Sequence, residues 1–375
     1  MKKIFFILVF SLTLWACSKE NEESARLNEI ESKYLISIAN AKGLLLEFIG
    51  SDVTTRSGEV PETTITDCKL TQYTVSNADS KSKSFENESI PVYEFTTITN
   101  GKIGYSIVIA DIRIAKVLIS VEQGSSADTL KIVPLRDYFR AIPEFIVNDL
   151  KVFYQKESQI KETEDITLRR LTVTTYYAFL PTLWGQGDPY NRNCPSCGTY
   201  NTPAGCVAIA TAQILAYHKK PSSMSWNSIL ANPVITASSS STVINEVASL
   251  IYTIGIKVNM SYSCYGGSSA WSDNVPIALN YYGMQYDSYQ GYSLTEIASS
   301  LCNSRPVYMR GDGNYGSHAW VCDGYKQHDY GNGEIYNYLD MNWGEDGNSN
   351  GFYYADNPPS FNSFYSNLKI IPNIR

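Results

Sequence analysis

From Ala204 to Gln213 the chain reads Ala-Gly-Cys-Val-Ala-Ile-Ala-Thr-Ala-Gln, and the whole stretch Cys206 to Tyr217 is small or apolar almost all the way round. A helix of that composition has no face to offer to water, so it belongs inside a domain, with the rest of the fold wrapped around it. Cys206 opens this helix, where the positive end of the dipole favours thiolate over thiol. Cysteine is also among the most buried residue types, so a thiol that simply fills space stays open on this run alone.

The chain has 375 residues, 43% of them hydrophobic, which is enough for two globular domains. Its net charge of −7, with no basic stretch to offset it, excludes a nucleic-acid partner. Lys2 and Lys3 precede a mostly apolar run from Ile4 to Ala16 that is too short to span a bilayer and reads as a signal peptide. Leu14-Trp15-Ala16-Cys17 resembles a bacterial lipobox, which implies cleavage after residue 16 and lipidation of Cys17. Ser18 then directs the expectation to an outer-membrane lipoprotein, and the acidic tract Glu20 to Glu23 resembles the surface-export tethers of Bacteroides-like lipoproteins.

Eight cysteines in an exported chain raise the question of disulfides. Their spacing is irregular, so a dense disulfide framework is not expected. For Cys194 and Cys197 a local disulfide, free thiols or half of a zinc site all remain open, although three histidines in the whole chain leave few ligands for a metal.

Charge and aromatic content divide the chain. Residues 1–170 hold 45 of the 67 charged side chains, whereas residues 171–375 hold 22 of the 28 tyrosines. The polar stretch 156–165, which lacks a helical apolar face, reads as an exposed linker open to proteolysis. Before it, Leu27, Ile30, Tyr34, Ile38, Ala41, Leu45 and Phe48 recur at helical spacing after Ser24. Strands are expected at Val92 to Thr99 and Lys102 to Ala110, turning at Asn100-Gly101, and at Lys116 to Glu122. Residues 135–154 look helical, with Pro143 as a break or a start. After the linker come helices at 206–217, 243–254 and 294–302, the last introduced by Ser293 and Glu296 in capping-box spacing. Strand-like segments follow at 307–310, 318–325, 334–343 and 351–355. The fold class is α+β, helices first and sheet second in the larger half.

A nucleophilic thiol needs an imidazole to take its proton and an acceptor to orient that imidazole. His218 lies twelve residues along the same helix, about 18 Å away at 1.5 Å per residue, and cannot reach Cys206. His328 sits in a polar turn and is expected to be solvated. His318 opens a strand directly after the glycine-rich loop 311–316, and a hairpin brings Asn342, in Asn342-Trp343-Gly344, beside it. There the Asn342 amide oxygen would fix the ring tautomer and Trp343 would shield that bond. Gln186, in Trp184-Gly185-Gln186, is positioned upstream to donate to an oxyanion together with the Cys206 N–H. Read singly, Asn342 is a turn residue, Trp343 a core aromatic and Gln186 a loop glutamine.

Trp184-Gly185-Gln186 with Pro189-Tyr190-Asn191, Gly205-Cys206-Val207-Ala208 with Thr211-Ala212-Gln213-Ile214, His318-Ala319 with Asp323-Gly324, and Asn342-Trp343-Gly344 with Gly351-Phe352 occur in an order that resembles the streptopain family of cysteine peptidases. The resemblance covers residues 175–375, and 92–123 are similar to that family's inhibitory propeptide. It implies a papain-like, two-subdomain catalytic domain and a zymogen. The implied roles are Cys206 as nucleophile, His318 as base, Asn342 as orienter, Gln186 as oxyanion donor and Trp343 as shield.

The implied organisation is a signal peptide at 1–16, an inhibitory propeptide at 17–155, a cleavable linker at 156–174 and a catalytic domain at 175–375. No cofactor is needed. The implied partners are protein or peptide substrates, the chain's own propeptide and, through Cys17, the outer membrane, with the mature domain free to diffuse away after cleavage within 156–175. Two departures stand out: Glu345-Asp346-Gly347 follows where many members carry a second tryptophan, and Ser317 rather than glycine precedes the histidine. Rival readings are a transpeptidase using the same thiol chemistry and a lipid-anchored binding or inhibitor protein.

Overall fold

A computed structural model describes residues 34–50, 63–77, 85–130, 132–157, 172–176, 178–330, 334–355 and 366–375. The expected signal peptide, lipobox and helix start at Ser24 lie outside these residues, as does most of the expected linker. Helix α1 (Ile38–Gly50) buries Ala41, Leu45 and Phe48, one face at helical spacing. Strands β1 (Thr63–Asn77), β2 (Phe85–Thr99), β3 (Lys102–Ile109) and β4 (Lys116–Val121) then form an antiparallel meander. The β2–β3 turn has φ 51° at Asn100 and 77° at Gly101, the pair of positive values a tight two-residue hairpin demands. Helix α2 (Val133–Glu157) lies against this sheet with Pro143 inside it, so Pro143 neither breaks nor starts the helix.

The second half opens with β5 (Thr172–Tyr176), then α3 (Cys206–Tyr217), α4 (Ser241–Lys257), α5 (Val275–Tyr281), β6 (Gln290–Gly291) and α6 (Leu294–Cys302). It closes with β7 (Val307–Gly313), β8 (Gly316–Asp329), β9 (Ile335–Asn342), β10 (Gly351–Tyr354) and β11 (Ser366–Ile371). Helix α3 has the bounds its composition sets, with every residue from Val207 to Ala216 buried. Ser293 caps α6 by accepting the Glu296 N–H. The expected linker boundaries move: α2 runs on to Glu157, and the 174/175 divide falls inside β5, which pairs with β8.

The two halves share one sheet. Its order is β1-β2-β3-β4-β10-β9-β8-β7-β11-β6, with β5 pairing off this path against β8. The seam is β4 against β10, with Val121 opposite Gly351, Ser120 opposite Phe352 and Ile119 opposite Tyr353. Gly351 is obligatory at this seam, since a Cβ there would lie 2.2 Å from the Ser120 carbonyl oxygen. Tyr138 on α2 braces the join by donating to Leu118 O or Tyr354 O, which lie 3.1 and 3.2 Å from its hydroxyl. One buried apolar cluster runs from Phe48, Ile119 and Tyr138 into Tyr338, Phe352 and Tyr353, and a second surrounds α3.

Phe48 is a bolt across the interface. Its ring lies 4.8 Å from that of Tyr338 and 5.3 Å from that of His328, and Lys326 Nζ sits 4.0 Å above it while donating to the Phe48 carbonyl at 2.8 Å. His328 is therefore not solvated. It is buried on β8, and burial with the Lys326 charge pushes its pKa down to about 4. Phe48→Ala should destabilise the full-length chain by roughly 3 kcal/mol or more, the usual cost of emptying a buried phenylalanine site. Calorimetry should show a Tm several degrees lower, and an unchanged Tm would contradict this account of the interface.

Candidate active site

Three segments converge at the start of α3. Gly205, at φ 90°, turns the chain into the helix where any Cβ would press on Met260 (2.7 Å) and the Ser268 carbonyl (3.3 Å). The loop Gly266 to Ser269 thus walls the nucleophile, and Ser268 Oγ fastens it by donating to Pro203 O at 2.6 Å. The Gln186 carbonyl accepts the Ala204 N–H at 3.0 Å, which lays the 184–186 segment beside Cys206. Strand β8 supplies the third side: Cys206 packs against the apolar cluster that contains Ala319, the residue after His318.

The structure thus brings together Cys206 and the His318 segment, more than a hundred residues apart in the sequence. The imidazole is buried, and its Nε2–H donates to the Trp343 carbonyl at 2.9 Å. Its ring lies 6.3 Å from that of Trp320 and 6.4 Å from that of Trp343, which screen it from water. The acceptor expected from Asn342 is therefore the main chain of the next residue. Asn342 pairs with Val321 across β8 and β9, three residues past His318, and its side chain turns to the other face of the site. There Asn342 Oδ1 accepts from Gln213 Nε2 (3.1 Å) and from the Gly344 N–H (3.3 Å), while Nδ2 donates to Thr182 O (2.9 Å).

Gln213 is the residue whose part sequence reasoning missed. It lies two turns beyond Cys206 and is fully buried, with Oε1 accepting from Thr182 Oγ1 (3.2 Å) and from the Trp184 N–H (3.1 Å). One amide thereby ties the nucleophile helix, the 182–186 segment and the end of β9. An amide inside an otherwise apolar helix was the available signal, because a buried polar group must find partners.

Gln186 also departs from expectation. Its Nε2 donates to Glu345 Oε1 at 2.7 Å, so the donor is engaged by a carboxylate. His218 ends α3 away from Cys206, as the helix length requires. Cys197 is disulfide-bonded to Cys264 across a separation of 67 residues, which rules out both a Cys194–Cys197 bridge and a zinc pair, and leaves Cys194 a buried free thiol.

The electrostatics describe a neutral pair. Burial pushes the Cys206 thiol up to about 11, and the nearby Glu345 charge adds to this, outweighing hydrogen bonds from the backbone. Helix position alone would have lowered it. Burial also lowers the His318 pKa, against the opposing pull of Glu345 and the Trp343 carbonyl. Glu345 is itself raised, first by burial.

The first half grips the loop that precedes His318. Asp137 Oδ1 on α2 accepts from Asn314 Nδ2 at 3.1 Å, and Arg136 and Arg140 lie 5.3 and 4.7 Å over the Tyr315 ring. Downstream, Ser317 Oγ donates to Asp312 Oδ1 at 2.6 Å.

A family model described as Peptidase C10 family matches residues 184–228 and 222–353, a span that contains Gln186, Cys206, His318, Asn342 and Trp343. Residues 184–353 are thus similar to the Peptidase C10 family, and a first half outside the matched residues precedes them in this chain. Streptopain of Streptococcus pyogenes is 29% identical over 222 residues, which cover 46% of this chain and 53% of that protein. The thiol protease/hemagglutinin PrtT of Porphyromonas gingivalis is 28% identical over 242 residues, covering 54% of this chain and 26% of that protein. The chain thus spans about half the length of the first of these relatives and a quarter of the second. The solved structure of a Prevotella intermedia prointerpain A fragment superposes with a TM-score of 0.52 at 19% identity, covering 81% of this chain and 98% of that one. That likeness shows the fold, a papain-like mixture of helices and antiparallel sheet, and it extends beyond residues 184–353 into the first half.

Two outcomes follow from the geometry. Gln213→Leu should cost about 1–3 kcal/mol in urea unfolding, because the buried Trp184 N–H is left without its acceptor; an unchanged midpoint would remove Gln213 from this role. A thiol near 11 is ionised to roughly one part in ten thousand at pH 7. Iodoacetamide should therefore modify Cys206 of the full-length chain slowly at pH 7 and progressively faster as pH rises toward 11, read by site-resolved mass spectrometry. Fast labelling at neutral pH would show that the partly buried thiol is already ionised.

Proposed function

We propose that this chain is the zymogen of an exported cysteine endopeptidase that cleaves proteins and peptides, with Cys206 as nucleophile and His318 as general base and acid. The observation that carries this reading is the packing of Cys206, at the start of α3, against the apolar cluster that contains Ala319, the residue after an imidazole whose Nε2–H is committed to the Trp343 carbonyl. That tautomer leaves Nδ1 as the nitrogen able to accept the thiol proton. Sulfur attacks the peptide carbonyl, the imidazolium protonates the leaving amine, and water activated by His318 then frees the acyl group and restores the thiol. The Cys206 N–H and the Gln186 amide are the donors for the oxyanion, and Trp343 keeps the imidazole dry. Asn342 acts here through Gln213 and Gly344, with the Trp343 carbonyl in the orienting role.

In the full-length chain the site is at rest. The pair is neutral, Gln186 is tied to Glu345, and α2 holds the loop before His318 through Asp137, Arg136 and Arg140. The first half is thus an inhibitory propeptide, and activation is a cut within 156–175 that lets it leave. The N-terminal features fit export as an outer-membrane lipoprotein anchored at Cys17, displayed at the cell surface, with the mature domain released once the halves separate.

Wild type and Cys206→Ala, expressed in parallel, test this reading. Wild type should be trimmed to a form beginning within 156–175 and then release peptides from casein under reducing conditions. Cys206→Ala should release none. Equal turnover by both proteins would reject the assignment, and full activity of the uncut chain would reject the zymogen.

A further inference from the structure

Glu345 is a carboxylate bound to the Gln186 amide, and its surroundings specify what it lacks. It follows two residues after Trp343, whose carbonyl takes the His318 proton donor, and its charge acts on both His318 and Cys206. Its Oε1 holds the Gln186 amide at 2.7 Å. The other groups at this corner are Asp346, whose carboxyl lies against Gly185, and the amide of Gln186 itself. Among the described residues no lysine or arginine forms an ion pair with Glu345. A partly buried carboxylate beside a reacting thiol is unfavourable twice, through its own desolvation and through repulsion of the negative charge that develops on sulfur and on the oxyanion. Held by Glu345, Gln186 is moreover spent as a donor.

A cation supplied by the substrate removes all three penalties. Since His318 gives its proton to the departing amine, the substrate residue carrying that amine must lie on the His318 side of the cleft, within reach of the Glu345 charge that acts on His318. We propose that Glu345 is a specificity-determining residue, selecting peptides in which a lysine or arginine supplies the leaving amine, and that pairing with this side chain releases Gln186 to the oxyanion. The inference rests on the peptidase reading given above. It makes the oxyanion donor available chiefly when the preferred substrate is bound. A gain realised in the transition state appears in kcat rather than in KM.

The test uses the processed enzyme and three peptides identical except for lysine, alanine or glutamate at the residue that supplies the leaving amine. Wild type should cleave the lysine peptide about tenfold faster than the alanine peptide, in the range expected when a charge-assisted pair is added. Most of that difference should lie in kcat, it should shrink in high salt, and the glutamate peptide should be cleaved slowest. Glu345→Gln should bring the lysine-to-alanine ratio close to one, and Glu345→Lys should reverse the order in favour of glutamate. Equal cleavage of all three peptides by wild type, or a lysine preference that persists in Glu345→Gln, overturns the proposal. A preference confined to KM overturns the release of Gln186. A wild type that cuts none of the peptides and no casein overturns the peptidase reading, and this inference with it.

Discussion

Three residue pairs between β4 and β10 decide the form of the whole molecule. Backbone hydrogen bonding across that seam turns two compositionally distinct halves into one sheet, and a common apolar cluster forms behind it. A charged, lysine-rich and glutamate-rich first half thus docks by two means, main-chain pairing that any sequence can offer and the apolar cluster around Phe48 and Tyr138. In the activation proposed above, departure of the first half would leave β10 as an edge strand and uncover Lys326 and His328, both buried beneath Phe48 while the halves are joined.

The seam is coupled to the chemistry through the loop before His318. Helix α2, braced on β4 and β10 by Tyr138, reaches that loop with Asp137, Arg136 and Arg140. Gly313 permits the approach, since a Cβ there would overlap the Asp137 carboxylate. Burial at Cys206 and His318 favours the uncharged members of an acid–base pair over thiolate and imidazolium. Relief of that burial would reverse the preference with no change in the residues themselves, and the helix-start position of Cys206 would then gain its influence on ionisation.

What the sequence made legible were the features governed by local rules. The bounds of α3 followed from an unbroken apolar run, the Asn100–Gly101 turn from its need for positive φ, and the start of α6 from Ser293. Cys206 and His318 could be singled out because thiol chemistry needs an imidazole and the other two histidines failed on distance or setting. The rest depended on partners far away in the chain. Strand β1 is polar along most of its length, since it is an edge, and it shows little alternation. His328 looked like a turn residue because its burial is supplied by Phe48, some 280 positions earlier. The pairing of Cys197 with Cys264 likewise depends on how the loop carrying residues 261–269 returns to Gly205.

Asn342 shows how a residue can be placed correctly and still be given the wrong contact. The hairpin expected from its spacing forms, but the β8–β9 register sets Asn342 opposite Val321, and strand residues alternate faces, so a shift of one position decides whether the side chain or the next carbonyl meets the imidazole. Here it is the Trp343 carbonyl. An amide oxygen of the main chain and one of a side chain are equivalent acceptors for an N–H, so the tautomer that the chemistry requires is preserved. The Asn342 side chain then becomes available to Gln213 and Thr182, and the site acquires a buried polar network in which these three side chains have their hydrogen bonds met. Such a network fixes the positions of three separate chain segments more tightly than apolar packing alone, because each misplacement strands a buried donor or acceptor.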